Sequence, residues 1–278
     1  MRKGVVNMLG ASLAFSFMQL CVKYLPHLPA VELVFFRSLV SISICLVMMK
    51  KLKLNPLGNN RKILLMRGVF GTIALSMFFY TLQQIPLASA VTIQYLSPIF
   101  TALFAAIFLK EKMKLKQWIY FGIAFGGVAL LKGFDERVSL GFMLVGIVSA
   151  MFSGIAYTCI RKLKETDHPL VVVFYFPLIA TPIMGVLSYF HWVKPIGKDW
   201  LLLLLMGVFT QIAQVLMTKG LQSAAVNKII SVKYIGTFWA LAFGYILFGE
   251  SYSWLSIVGI LLVMVGVVLN LKTKSRKL

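Results

Sequence analysis

The chain has 278 residues, of which 60% are hydrophobic and 13% are charged, and its formal net charge is +20. Soluble globular domains carry about 25% charged residues, so this composition excludes a water-soluble fold. A basic charge of this size would indicate nucleic-acid binding in a soluble protein, and the positions of the basic residues decide whether that class of function stays open.

Ten apolar blocks, bounded by charged residues, Pro or Gly, follow one another along the chain. Most are close to the ~20 residues that an α-helix needs to cross the hydrocarbon core of a bilayer. The sequence therefore predicts an all-α polytopic membrane protein with ten transmembrane helices. In chain order, the predicted spans cover residues 4–24, 31–49, 64–83, 87–109, 117–132, 140–160, 170–190, 200–219, 225–248 and 253–271.

The Lys and Arg residues cluster at the termini and in every second connection between the predicted spans. This positive-inside pattern places both termini and the even-numbered connections in the cytoplasm. We therefore predict a multi-pass protein of the cytoplasmic (inner) membrane, with anionic lipid rather than nucleic acid as its counter-charge. The clusters are Arg2, Lys3; Lys50, Lys51, Lys53, Arg61, Lys62; Lys110, Lys112, Lys114, Lys116; Arg161, Lys162, Lys164; and Lys272, Lys274, Arg276, Lys277.

The second half of the chain repeats the first at an offset of about 139 residues. Because apolar identities arise easily in membrane proteins, the matched Glu, Gln and Tyr residues count most. An odd number of spans per repeat makes the second copy enter the membrane from the opposite side, as in many secondary transporters. We predict two inverted five-helix repeats, residues 1–135 and 136–278. The ungapped matches include Gly68-Val69-Phe70 with Gly207-Val208-Phe209, Leu82-Gln83 with Leu221-Gln222, Tyr95 with Tyr234, and Glu111 with Glu250.

Two segments share an apolar-x-Glu sequence followed by a Gly-rich span, IFLKEKMKLKQWIYFGIAFGGVALL and ILFGESYSWLSIVGILLVMVGVVL. Together with VELVFFRSL in the second span and FFYTLQQIPLASAVTIQYLSPIF across the third and fourth, they resemble the drug/metabolite transporter superfamily, EamA type. The resemblance covers nearly the whole chain. It implies a permease with a central cavity between two repeats, and its motifs are specific for the superfamily but not for a substrate.

Few ionisable groups fall inside the predicted spans, where each costs about 2.5 to 3.5 kcal/mol on insertion scales. Lys233 and Arg37 are candidates for lining the cavity and binding an anionic group of the substrate, such as a carboxylate or phosphate. Arg37 has an alternative role, in which it ties helix ends together through Glu32 or backbone carbonyls. Lys228 is expected to snorkel to the membrane interface.

Polar side chains at helical spacing mark the helix faces that we predict to line the cavity. The alternative for a single Ser or Thr is an interhelical hydrogen bond, which contributes about 0.6 kcal/mol and needs no ligand. Gln94, Gln211, Gln214 and Lys233 together favour a substrate site, because these costly groups lie at corresponding depths of both repeats. With aromatic side chains that could stack on a ligand, the predicted substrate-binding residues are Ser16, Gln19, Arg37, Thr72, Ser76, Tyr80, Gln94, Tyr95, Ser153, Tyr157, Gln211, Gln214, Lys233, Tyr234, Thr237 and Trp239.

The sequence does not indicate an enzyme, a metal site or a cofactor. It contains no HExxH sequence, no Ser, His, Asp arrangement at membrane depth and no Walker loop. The three cysteines lie in apolar segments without metal-ligand spacing, so we expect them to be core residues. Gly122 and Gly126 form a GxxxG sequence, which predicts close packing against the tenth span or against a second protomer in a homodimer.

These observations favour a secondary transporter that moves a small polar or anionic organic metabolite by alternating access. Amino acids, nucleotide-like metabolites and vitamins are the substrate classes that this prediction includes. The alternatives are an exporter of drugs or lipid-linked substrates, and a membrane interaction protein that does not transport. A small-molecule substrate and membrane lipids are the predicted partners.

Overall fold

The structure is a computed structural model that describes residues 2–108, 111–112, 114–222, 235–273 and 276–277. These residues form eleven helices and one antiparallel pair of two-residue strands, β1 (Glu111–Lys112) and β2 (Arg276–Lys277). The helices are α1 (Arg2–Lys23), α2 (Ala30–Lys51), α3 (Arg61–Gln84), α4 (Leu87–Gln94), α5 (Ser97–Phe108), α6 (Leu115–Phe134), α7 (Leu140–Leu163), α8 (Pro169–Phe190), α9 (Asp199–Gln222), α10 (Ile235–Phe248) and α11 (Trp254–Lys272).

The predicted all-α polytopic fold is confirmed. Seven helical segments within the described ranges are long and apolar enough to cross a membrane, and two shorter apolar helices lie at Ile235–Phe248 and Trp254–Asn270. Large apolar side chains on the outer surface of the bundle are exposed, as with Val186 at 63%. A bilayer would cover these side chains, because its hydrocarbon is the solvent that they prefer.

Several helices begin where a polar side chain caps the first turn. Asn60, Ser139 and Ser253 each accept a hydrogen bond from the backbone N–H three residues later, at the starts of α3, α7 and α11. These bonds satisfy N–H groups that have no partner within the helix. The cap residues therefore account for helix boundaries that hydropathy alone places only approximately.

The fourth predicted span is interrupted between α4 and α5, at Tyr95 and Leu96. Pro98 explains the interruption, because it has no N–H to donate to the carbonyl of Gln94 and its ring would clash with that carbonyl in a continuous helix. The span therefore consists of two consecutive shorter helices, with Tyr95 at their junction.

The main helix contacts of the first half of the bundle have counterparts in the second half. The contact of α1 with α9 corresponds to that of α7 with α3, and the contact of α2 with α9 corresponds to that of α8 with α3. Likewise, α5 packs on α7 as α10 packs on α1, while α2 packs on its own counterpart α8 and α6 on α11. This is the pattern expected of inverted repeats related by a pseudo-twofold axis.

Helices α6 and α11 approach closely along a seam of glycines. A Cβ added at Gly127 would lie 2.6 Å from the carbonyl oxygen of Gly259, and one added at Gly266 would lie 2.7 Å from the carbonyl oxygen of Tyr120. No real Cβ sits that close to a backbone oxygen. The missing side chains are therefore what allow the two backbones to touch.

The GxxxG pair does not belong to this seam. A Cβ added at Gly122 or Gly126 would meet open space. Successive helix positions are about 100° apart, so these two residues face away from the partner that Gly127 contacts. The predicted packing of Gly122 and Gly126 against the tenth span is therefore wrong, and packing against a second protomer stays a prediction.

The connections between helices meet in two groups, one at each end of the bundle. At the basic end, where the α2–α3 and α7–α8 connections meet, the Asn59 and Asn60 backbone N–H groups donate to the Asp167 carboxylate at 2.6 and 3.3 Å. At the opposite end, where the α1–α2 and α8–α9 connections meet, His27 Nε2 lies 3.0 Å from Asp199 Oδ2. The basic clusters around α2, α3 and α7 all fall at the basic end.

We expect Gly127→Ala to lower the free energy of unfolding by about 1 to 3 kcal/mol, because the new methyl group must push α6 away from α11. The measurement is thermal unfolding of the purified protein in detergent. Gly122→Ala is the matched control, since it adds the same methyl group to the same helix in open space. Equal melting temperatures for the two variants would contradict the close seam.

Candidate functional site

A central cavity of about 110 Å³ lies between the two halves of the helix bundle. Helices α1, α2, α3, α4, α7, α8 and α9 contribute to its wall, so both predicted repeats line it. The wall contains apolar side chains as well as polar ones, which suits an organic molecule with a few polar groups. Eight of the predicted substrate-binding residues line this cavity: Ser16, Gln19, Arg37, Gln94, Tyr95, Ser153, Tyr157 and Gln214.

Arg37 reaches the cavity wall from α2 and is only 2% exposed. Its Nε donates a hydrogen bond to Thr210 Oγ1 on α9, at 2.9 Å. Its Nη1 is buried without a hydrogen-bond partner in the part of the chain that the structure describes. Glu32 instead accepts a hydrogen bond from the Val193 backbone N–H at 3.1 Å, and the described residues show no ion pair between Glu32 and Arg37.

Arg67 is a second arginine in the cavity wall and is absent from the predicted set. It is 4% exposed, and its Nε has no hydrogen-bond partner among the described residues. It lies only three residues inside the predicted third span, where a basic side chain ordinarily snorkels to the interface. Helical spacing could have revealed it, because Arg67, Gly71, Ala74 and Phe78 fall on one face of α3 and all line the cavity.

The two guanidinium groups share one aromatic ring. Arg37 Cζ lies 4.8 Å, and Arg67 Cζ 5.5 Å, from the centroid of the Phe176 ring. Gly71 makes room for this arrangement, because an added Cβ would collide with Arg67 Nη1 and lie 2.9 Å from Phe176 Cδ2. Each cation–π contact contributes about 0.5 to 2 kcal/mol. That offsets only part of the several kcal/mol needed to bury a charged group.

Gln94 connects α4 to α7 within the cavity wall. Its Nε2 donates to Ser153 Oγ at 2.8 Å, and Ser149 Oγ donates to its Oε1 at 3.0 Å. Both ends of the Gln94 amide are therefore used in contacts between helices. Gln19 differs, because its Oε1 is buried and has no hydrogen-bond partner within the described ranges. Gln19 thus offers an acceptor that a ligand could use.

Tyr95 lies at the junction of α4 and α5 and is 8% exposed. A Cβ added at Gly236 would collide with the Tyr95 hydroxyl and would lie 3.1 Å from Ser12 Oγ. Gly236 therefore allows the start of α10 to pack against α1 and the interrupted fourth span at the edge of the cavity.

Three of the other predicted residues form hydrogen bonds within the helix bundle. Gln211 Nε2 donates to Cys45 Sγ at 3.1 Å. The hydroxyl groups of Thr72 and Ser76 donate to the carbonyl oxygens one turn earlier in α3, at 2.8 and 2.9 Å. None of these three lines the cavity, so the structure gives them no contact with a ligand held there.

Three further candidates also lie outside the cavity wall. Tyr80 is 44% exposed, with its ring centroid 5.7 Å from that of Phe142. Trp239 stacks on Phe243 at a centroid distance of 6.1 Å. Thr237 is fully buried, and its Oγ1 has no hydrogen-bond partner within the residues described.

Lys233 and Tyr234 lie outside the described residues, as does Lys228. The substrate-binding roles of Lys233 and Tyr234 therefore stay predictions. The structure brings together the candidates from α1, α2, α4, α7 and α9 and adds Arg67 from α3 to them.

An ion pair joins the two halves at the opposite end of the bundle, where the α3–α4 and α10–α11 connections meet. Lys23 Nζ lies 3.3 Å from Glu250 Oε1 and donates to the Ile85 carbonyl oxygen at 2.7 Å. The Glu250 carboxylate also accepts a hydrogen bond from the Leu87 backbone N–H at 2.9 Å, at the positive end of the α4 dipole. The Tyr252 hydroxyl donates to the same carboxylate.

The connections flanking α6 and α11 complete this network. Burial, together with the hydrogen bond to Glu250, raises the pKa of the Tyr252 hydroxyl, so that the hydroxyl stays protonated and donates at neutral pH. Arg137 Cζ lies 5.5 Å from the centroid of the Tyr252 ring, and Arg137 Nε donates to Asp135 Oδ1 at 2.9 Å. The hydrogen bond to the Asp135 carboxylate raises the pKa of Arg137.

A model of the EamA-like transporter family matches the chain twice, over residues 2–132 and 140–272. The chain belongs to the EamA-like transporter family. It is thus a multi-pass membrane transporter, and the two family matches fall on the two halves that surround the cavity.

Three relatives show which proteins this chain is similar to. It is 31% identical to the pseudopaline exporter CntI of Pseudomonas aeruginosa, over 99% of this chain and 98% of the exporter. It is 30% identical to solute carrier family 35 member G1 of Homo sapiens, over 94% of this chain and 76% of that protein. It is 26% identical to the riboflavin transporter of Vibrio cholerae, over 76% of this chain and 74% of that transporter.

A solved crystal structure shares the fold. It superposes with a TM-score of 0.68 at 15% sequence identity, covering 97% of this chain and 96% of the other. At this identity the likeness concerns the arrangement of helices alone.

We expect Glu250→Gln to lower the melting temperature of the purified protein by several degrees, because the partly buried Lys23 would lose its anionic partner. Glu136→Gln is the matched control, since it removes an exposed carboxylate from the connection that carries Arg137. Thermal unfolding in detergent measures both variants. If Glu250→Gln melted at the temperature of Glu136→Gln, the ion pair would have no role in holding the two halves together.

Proposed function

We propose that this chain is a secondary transporter that moves a small polar or anionic organic metabolite by alternating access. The observation that carries the proposal is the central cavity, whose wall comes from both halves and contains two buried arginines. Charged groups at membrane depth are costly and mark substrate pathways in transporters. The cavity is the place where such groups meet.

The two halves, residues 1–135 and 136–278, would act as the two bodies that rock around the cavity. The symmetrical packing of α1 to α6 and α7 to α11 supports this division, because equivalent contacts can form alternately on the two sides of the membrane. The ion pair between Lys23 and Glu250 joins the halves at the opposite end. It would have to open when the cavity is exposed there.

The proposal places the protein in the cytoplasmic membrane, with both termini and the basic end in the cytoplasm. The basic clusters around α2, α3 and α7 support this orientation, because cytoplasmic connections carry an excess of Lys and Arg. The opposite end, with the Lys23–Glu250 pair, would then face outward.

The names of the relatives support an organic solute as the cargo. One relative is a pseudopaline exporter and another a riboflavin transporter. In this chain, Arg37, Gln19 and Gln214 would bind the polar groups of the substrate. Lys233 would add a further cation, as its place in the ninth span predicts.

Accessibility of a cysteine in the cavity tests alternating access without knowledge of the substrate. Gln214 lines the cavity and is partly buried, so we expect Gln214→Cys to react with a charged, membrane-impermeant methanethiosulfonate reagent from either face of the membrane. Right-side-out and inside-out vesicles expose the two faces separately. The measurement is the fraction of the thiol that each preparation modifies.

Val265→Cys is the matched control, because Val265 is 48% exposed on α11 and would face hydrocarbon, where the charged reagent cannot react. The unsubstituted protein reports any reaction of the three buried native cysteines. Modification of Gln214→Cys from one face only would contradict alternating access. It would favour a membrane interaction protein that does not transport.

A further inference from the structure

We propose that Arg37 and Arg67 together form the binding site for an organic anion that carries two carboxylates. The inference rests on the proposed function, because it takes the central cavity to be the substrate site. It goes further by naming the ligand class and by assigning a binding role to Arg67.

Both arginines are buried, and each keeps an unused hydrogen-bond donor. They are 2% and 4% exposed, and each has a side-chain nitrogen without a hydrogen-bond partner among the described residues, Nη1 of Arg37 and Nε of Arg67. An unsatisfied buried donor of a charged group is costly, and nearly all such groups in folded proteins have a partner. Because both side chains line the cavity, a bound ligand can supply the missing acceptors.

Among the residues that the structure describes, no carboxylate pairs with either of these two cations. It has eight Asp and Glu residues, and the ion pairs seen among the described residues are Lys23 with Glu250, His27 with Asp199, and Arg137 with Asp135. The other acids lie elsewhere: Glu32 binds the Val193 N–H, Asp167 binds the α2–α3 connection, Glu136 and Glu165 are exposed in connections, and Glu111 lies in β1. Two positive charges therefore remain in the cavity wall without a carboxylate partner from the described part of the chain.

The balance of charge favours two carboxylates rather than one. The guanidinium groups come from different helices, α2 and α3, and both lie against the Phe176 ring, so one small molecule can reach both. Each guanidinium is a planar fork that matches a carboxylate. A ligand with two negative charges matches the charges of Arg37 and Arg67, whereas a monocarboxylate would leave one of these two buried cations uncompensated.

The rest of the wall fits the carbon skeleton and a further polar group of such a ligand. Phe15, Leu75 and Phe78 line the same cavity and provide apolar contact. Gln19 Oε1 is buried without a partner in the described ranges, so it can accept a hydrogen bond from an amine or hydroxyl of the ligand. The cavity wall therefore offers two kinds of polar group, the guanidinium cations beside Phe176 and the neutral amide oxygen of Gln19 on α1.

The test compares each dicarboxylate with the isosteric monoamide that lacks one charge. The probes are succinate with succinamate, glutarate with glutaramate, and L-glutamate with L-glutamine. They are titrated against the purified full chain in detergent while the melting temperature is followed, because a ligand that binds the folded state stabilises it. We expect at least one dicarboxylate to bind at least about tenfold more tightly than its monoamide, as expected for a charge-assisted hydrogen bond.

Arg67→Gln should abolish this discrimination. The dicarboxylate and its monoamide should then have dissociation constants within about twofold, while affinity for the monoamide should change little. Arg61→Gln is the control, because it makes the same substitution in the same helix at an exposed position outside the cavity wall and should keep the preference for two carboxylates. The comparison in the unsubstituted protein does not depend on the folding of either variant.

Three results would overturn the inference. They are equal stabilisation by the two members of every pair, an undiminished preference in Arg67→Gln, and binding of glycerol 3-phosphate in place of all the dicarboxylates. None of these bears on the accessibility of Gln214→Cys from the two faces of the membrane. Failure of the dicarboxylate site is thus distinguishable from failure of the proposed transport function.

Discussion

Hydrocarbon cannot solvate a guanidinium group or hydrogen-bond a free backbone N–H, and each level of this structure meets that constraint. The backbone N–H and C=O groups hydrogen-bond to one another within helices. Most Lys and Arg residues lie at the helix ends, where they reach water and lipid head groups. Arg37 and Arg67 are exceptions at membrane depth, and both are enclosed by protein at the central cavity. Two of the most costly groups in the bundle therefore lie together at the central cavity.

Different contacts hold the helices together at the two ends of the bundle. At the opposite end, Lys23, Glu250 and Tyr252 link the two halves through an ion pair and a helix cap. At the basic end, the described contacts run through Asp167 and the α2–α3 connection. An inverted repeat permits such a difference, because one set of contacts can close one side of the membrane while its counterpart is open.

Much of the fold could be predicted, because span length and charge position are local properties of the sequence. The interruption of the fourth span at Tyr95 and the glycine seam of α6 and α11 could not. Pro98 signals a bend, but its effect on helix continuity depends on what surrounds it. Gly122 and Gly127 look alike in sequence, and only the rotation of α6 against its partner decides that Gly127 makes the contact.

The sequence by itself determined the membrane class and the approximate number of spans, because hydropathy and charge position are local properties of the chain; the duplication and the polar helix faces are its predictions. Tertiary structure decided which polar groups share a space. It placed Gln94 in a bond between helices, turned Thr72 and Ser76 to their own backbone, and brought Arg67 from α3 to the ring that Arg37 reaches from α2. Residues distant in sequence meet only through helix packing, and no local pattern records which face each neighbour covers.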